Sequence, residues 1–125
     1  LTKPLYKIAV TSHFSSAHSL KGYDGACERV HGHNWLIRVI VLADTLNEIG
    51  MSIDFKDIST ILNQITGKLD HRNLDTVEVF KEINPTAENL ASYIYREVKE
   101  NLPAGISLEE VEVSETDKYS VSYSE

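Results

Sequence analysis

The sequence predicts an α+β domain in which an antiparallel sheet carries two helices on one face. Three observations lead there. Near both ends of the chain, apolar residues alternate with polar ones, as they do in strands. Between these regions, two stretches repeat apolar residues at helical spacing. The order is therefore strand, strand, helix, helix, strand, strand, and two helices can cover only one face of a sheet.

Tyr6, Ile8, Val10, Ser12 and Phe14 alternate with Lys7, Ala9, Thr11 and His13, so a first strand runs into the region of His18. Residues 19–30 hold Gly22, Asp24 and Gly25 and read as a loop. From His33 the chain is extended again through Trp35, Ile37, Val39 and Val41. Leu36, Ile40 and Leu42 fall between these, which predicts burial on both faces along part of the strand. The two strands form an antiparallel pair with Cys27 in the loop between them.

Phe55, Ile58, Leu62, Ile65 and Leu69 predict an amphipathic helix over 54–68, with Asp54 as N-cap. Asn84-Pro85-Thr86 then breaks the chain. Ala87, Leu90, Ile94 and Val98 form the apolar stripe of a second helix over 86–101, stopped by Pro103 and Gly105. Val111 and Val113 alternate with Glu110 and Glu112 in a third strand, and Tyr119, Val121 and Tyr123 with serines in a fourth. Apolar positions on the uncovered face call for another subunit, so a homo-oligomer is expected.

The 125 residues suit a single domain over 1–125. A formal net charge of -7 argues against nucleic acid or an anionic membrane surface as the partner. A small anionic ligand needs only a local basic pocket and stays open. One cysteine cannot close an internal disulfide, which fits a reducing, cytoplasmic setting. No signal peptide is expected, and no apolar run approaches the roughly 20 residues of a membrane span.

The densest chemistry lies in Cys27-Glu28-Arg29-Val30-His31-Gly32-His33, with His18 nine residues upstream of Cys27. His31 and His33 are two apart, so an extended strand puts both on one face. With His18 from the end of the neighbouring strand, three imidazoles suit zinc with an open fourth position. Satisfied or surface histidines are the plainer alternative. Cys27 reads in two ways: a fourth ligand closing a structural site of one cysteine and three histidines, or a free thiol acting as base or nucleophile. A cysteine that only packs fits poorly with its glycine-rich, loop-like surroundings.

Asp70-His71 directly follows the first helix and is a candidate general acid/base pair, or else a helix cap in solvent. Glu115 continues the face of Val111 and Val113, so it meets a donor, faces a pocket or reaches water. A planar ligand offering paired N–H groups would suit such a carboxylate. Lys21, Arg29, Lys68, Arg72 and Lys118 lie in or near loops, as phosphate partners or as plain surface charge. No phosphate-binding glycine loop, His-Glu-x-x-His helix or Gly-x-Ser-x-Gly turn is present in the sequence.

Taken in order, these segments resemble the 6-pyruvoyl-tetrahydropterin synthase family, and within it the 6-carboxy-tetrahydropterin synthases of queuosine biosynthesis. The resemblance rests on Phe14-Ser15-Ser16-Ala17-His18, Cys27 to His33, Gly50-Met51 with Asp54-Phe55, and Leu69-Asp70-His71-Arg72-Asn73-Leu74. It continues through Asn84-Pro85-Thr86-Ala87-Glu88-Asn89-Leu90 and Val111-Glu112-Val113-Ser114-Glu115-Thr116. It implies the tunnelling fold, a four-stranded antiparallel sheet with two helices, assembled as trimers paired into hexamers with active sites between subunits. It implies zinc on His18, His31 and His33, an acid/base set of Cys27, Asp70 and His71, and Glu115 as anchor of a pterin ring. The implied substrate is 7,8-dihydroneopterin triphosphate. The three residues between Cys27 and His31 resemble the queuosine-pathway branch, whereas the biopterin-pathway enzymes typically have five. A third branch places glutamate where Cys27 stands.

Overall fold

The computed structural model describes residues 4–125. Two long strands, β1 (Tyr6–His18) and β2 (His31–Ala43), are followed by helix α1 (Phe55–Gly67) and a short strand β3 (Arg72–Asn73). Helix α2 (Ala87–Asn101) and strands β4 (Ser107–Ser114) and β5 (Ser120–Tyr123) complete the chain. The sheet order is β3-β1-β2-β4-β5. All pairings are antiparallel except that of β3 with β1.

The expected sheet of four strands thus gains a fifth. Residues of β3 pair in parallel with β1, Ser16 opposite Arg72 and Ala17 opposite Asn73. A two-residue strand is too short for periodicity to reveal. β1 ends at His18 as the sequence indicates, while β2 begins at His31, two residues before the expected start. Their pairing runs without interruption from Tyr6↔Ala43 to His18↔His31.

Both helices are capped, α1 by the predicted Asp54 and α2 by Thr86, which the sequence reading placed inside the helix. Asp54 accepts from the Lys56 N–H at 2.8 Å, and Thr86 from the Asn89 N–H at 3.0 Å. Ile58, Leu62 and Ile65 of α1, and Leu90, Ile94 and Val98 of α2, pack on Val10, Phe14, Trp35, Ile37, Val39, Val111 and Val113 of the sheet. Phe55 departs from expectation. It is the first helical residue, one turn short of the packed stripe, and is 64% exposed. It borders a shallow apolar groove with Tyr6, Leu46, Met51 and Ile53.

The uncovered sheet face is mixed in character. Leu36, Ile40 and Leu42 lie on it, but so does a polar row in which Thr11, Arg38 and Glu112 stand opposite one another. Ile40 is buried there and Leu36 and Leu42 are half-buried, as the apolar pattern of β2 predicts. At Ile40/Val41 the β2–β4 register shifts, with Glu109 as the extra residue. The bulge lets Glu109 meet Lys7 across β2 at 3.0 Å and turns Leu108 toward the core. Among the described residues, no helix is long and apolar enough to cross a membrane.

Candidate active site

The three histidines meet at one end of the covered face, where β1 and β2 leave the sheet. The register places His18 directly opposite His31, and His33 lies two residues along the same face. Ring centroids are 4.5 Å apart for His18–His31, 5.1 Å for His18–His33 and 4.9 Å for His31–His33. His18 is buried, with Trp35 edge-on beneath both it and His33.

Two backbone carbonyls decide which ring nitrogens face the cluster. His18 Nδ1 lies 2.7 Å from the Pro85 oxygen, and His31 Nδ1 lies 2.7 Å from the Arg29 oxygen. A carbonyl only accepts, so each Nδ1 carries the proton and each Nε2 keeps its lone pair. Sequence reasoning did not find these partners, because a backbone carbonyl has no residue signature.

Glu115 joins the group. One ligand atom from each of His18, His31, His33 and Glu115 lies within 4.8 Å of the others. Glu115 Oε1 is 2.7 Å from His33 Nε2 and 3.7 Å from His18 Nε2. The shorter approach is a close polar contact without the alignment of a hydrogen bond, and Nε2 of both His18 and His33 is buried with no hydrogen-bond partner. Buried, unpartnered lone pairs are costly unless something binds them. Three convergent imidazoles, two held in one tautomer by carbonyls, fit a borderline-soft cation such as zinc. Burial holds the His33 ring below the usual imidazole value; Glu115 raises it, and His18 and His31 lower it further.

Cys27 lies outside this group of four. It is half-buried in a 3-10 turn, Ala26–Glu28, within the loop that joins β1 to β2. The Leu20 N–H donates to its carbonyl at 2.9 Å and closes that loop.

Asp70 and His71 form a pair at the sheet edge. His71 Nδ1 stands 2.9 Å from Asp70 Oδ2. The turn is bound to β1 by three hydrogen bonds. Ser15 N–H donates to Asp70 Oδ1 at 2.8 Å, His71 N–H to the Ser15 oxygen at 2.6 Å, and the Ser16 hydroxyl to the Leu69 oxygen. His71 takes a left-handed backbone conformation, φ 56°, which bulky residues avoid unless held. The Ser15 N–H, with help from His71, holds the Asp70 carboxyl below its ordinary value. The His71 side chain is 83% exposed, so its outer nitrogen is free to meet a ligand or another subunit. Ser15 and Ser16 entered the sequence reading only as part of a motif, and their anchoring role emerges from β1 lying beside β3.

The five basic residues Lys21, Arg29, Lys68, Arg72 and Lys118 are all exposed. None belongs to the histidine group.

Residues 7–125 match the family described as 6-pyruvoyl tetrahydropterin synthase. The chain is similar to the 6-carboxy-5,6,7,8-tetrahydropterin synthase of Synechocystis, with 36% identity over 109 residues, covering 82% of this chain and 81% of that one. It is also similar to the dihydroneopterin monophosphate aldolase of Pyrococcus furiosus, 29% identical over 115 residues, covering 92% and 94%. Among solved structures, the 6-pyruvoyl tetrahydropterin synthase of Caenorhabditis elegans superposes with a TM-score of 0.88 at 28% identity, covering 100% of this chain and 99% of that one.

Proposed function

Because the chain belongs to the 6-pyruvoyl tetrahydropterin synthase family of lyases, we propose that it is a zinc enzyme of the 6-carboxytetrahydropterin type. The substrate is 7,8-dihydroneopterin triphosphate. With one water it yields 6-carboxy-5,6,7,8-tetrahydropterin, acetaldehyde and triphosphate, and serves 7-deazapurine (queuosine) synthesis. The reaction redistributes electrons within the substrate and needs no redox cofactor.

His18, His31 and His33 hold the metal. When bound, zinc supplies Lewis-acid polarisation of the substrate's side-chain oxygens. Cys27 takes a proton from the side chain. His71, oriented by Asp70, supplies a proton to the ring system. Glu115 accepts from the pterin amino and ring N–H groups. The outward-facing His71 fits a site completed between subunits of a homo-oligomer, a trimer or hexamer.

The observation that carries this reading is the position of Cys27 outside a histidine cluster already supplied with orphaned Nε2 atoms. A structural site of one cysteine and three histidines would need the sulfur inside it. The three-residue interval from Cys27 to His31 supports the carboxy branch over pyruvoyl-type chemistry.

The test is incubation of the zinc-loaded protein with dihydroneopterin triphosphate. Acetaldehyde and triphosphate in equal amounts are expected. Triphosphate without acetaldehyde would assign the pyruvoyl reaction instead. Cleavage confined to dihydroneopterin monophosphate would move the activity toward that named for the Pyrococcus relative.

A further inference from the structure

The loop that carries Cys27 is fastened to distant parts of the chain by two side chains. Asp75 accepts from the Ser19 N–H at 3.3 Å and from the Ser19 hydroxyl at 2.6 Å, next to His18, and Asn84 grips the loop nearer to Cys27. Asn84 Oδ1 accepts from the Lys21 N–H at 2.9 Å, and Asn84 Nδ2 donates to the Lys21 oxygen at 2.8 Å. The carboxamide thus satisfies both backbone groups of a residue 63 positions away. Its neighbour Leu20 donates to the Cys27 carbonyl at 2.9 Å. Two short steps therefore lead from Asn84 to the thiol-bearing turn.

The opposite side of Asn84 is equally constrained. The Asn89 side chain donates to the Asn84 carbonyl at 2.8 Å, and Thr86 caps α2 immediately after. Between them, Pro85 presents the carbonyl that fixes the His18 ring. Asn84 is consequently mounted on the start of a rigid helix, not on a free loop. Lys21 is followed by loop residues with few backbone–backbone bonds: beyond Leu20 N–H to the Cys27 oxygen, these are Tyr23 N–H to the Leu20 oxygen and the bonds of the 3-10 turn.

We propose that Asn84 is a positioning residue for the reaction, setting the loop of Cys27 against the frame that holds the histidines. Only a side chain with both a donor and an acceptor at this spacing can satisfy Lys21. Aspartate keeps the acceptor and loses the donor, and alanine loses both. The inference rests on the catalytic role proposed for Cys27. Misplacement of a reacting group by about 1 Å can cost on the order of 100-fold in rate.

The test compares the unmodified protein with Asn84→Ala and Asn84→Asp, each loaded with zinc. For Asn84→Ala, kcat is expected to fall at least about tenfold with KM within about twofold and zinc content unchanged. Amide exchange at Leu20 and Lys21, and alkylation of Cys27 by N-ethylmaleimide, are expected to quicken by roughly tenfold. Asn84→Asp should fall between the two. Unchanged exchange and alkylation in Asn84→Ala overturn the proposal, as does quickened exchange with unchanged kcat. So does loss of zinc in proportion to activity, which would reduce Asn84 to a support for His18. If the unmodified protein fails to turn over the pterin, the functional reading falls. Exchange and alkylation then judge the clasp on their own.

Discussion

The Nδ1–H of His18 donates to the Pro85 carbonyl at 2.7 Å, across 67 residues of chain. This bond turns the other nitrogen of a buried ring toward His31 and His33. Replacing His18, His31 or His33 singly with alanine is expected to reduce zinc affinity by more than the roughly 10–100-fold that loss of a supporting partner costs. Competition with a chromophoric chelator measures it. Full zinc retention in any of the three variants removes that histidine from the ligand set.

Cys27 stands apart from the cluster of three histidines and Glu115. Cys27→Ala is therefore expected to keep its zinc and its melting temperature while turnover drops by at least about 100-fold. Metal analysis and a thermal melt accompany the assay. Joint loss of zinc and fold would return the thiol to a structural role.

Glu115 lies close enough to the histidines to be a ligand, yet it is proposed as the pterin anchor. Glu115→Gln separates the two. An anchor predicts retained zinc and a KM raised at least about tenfold, because the amide replaces one acceptor oxygen of the carboxylate with an NH2 that faces a ligand N–H. A ligand predicts depleted zinc.

Asp70 gives a pH signature. Its folded value lies below the ordinary carboxylate value, chiefly because of the Ser15 N–H. The unfolded chain then binds the proton more readily, so the stabilisation is full above the unfolded value and is lost as pH falls through the folded one. The melting-temperature difference between the unmodified protein and Asp70→Asn should be flat from pH 7 to about 5 and shrink below about 4. NMR titration of the carboxyl carbon gives the same answer directly. A midpoint at or above the ordinary value would contradict it.

Leu90 of α2 is fully buried in the core that the helices share with the sheet. Leu90→Ala should destabilise the fold by about 2–5 kcal/mol. Urea unfolding, with the site left untouched, measures the loss.

Much of this was readable from residue order. Strand alternation and helical stripes follow from which side chains must leave water, so β1, β2, α1 and α2 stood out wherever one face is buried. The His-x-His spacing announced a shared face, and the register confirms that His18 meets it. Phe55 misled because periodicity cannot tell a helix's first residue from its packed interior. The short β3 and the anchoring of Asp70 by Ser15 escaped detection because backbone bonds between distant segments leave no pattern in either segment. The carbonyls of Pro85 and Arg29 were invisible for the same reason. Glu115 was placed on the correct face, but its proximity to His33 depends on the β2–β4 register.

The unbroken pairing from Tyr6↔Ala43 to His18↔His31 also limits how this lineage can vary. Inserting one residue within either strand would rotate every later side chain to the opposite face and scatter the three imidazoles. Length changes can therefore accumulate only in the connecting loop, and there unevenly. Ser19 is tied to Asp75 and Lys21 to Asn84, whereas residues 22–26 can lengthen or shorten without disturbing the three histidines. The interval from Cys27 to His31 sets how far the thiol stands from the cluster. Evolution of a new reaction on this scaffold would thus be written first as a change in that interval, with the rest of the site left intact.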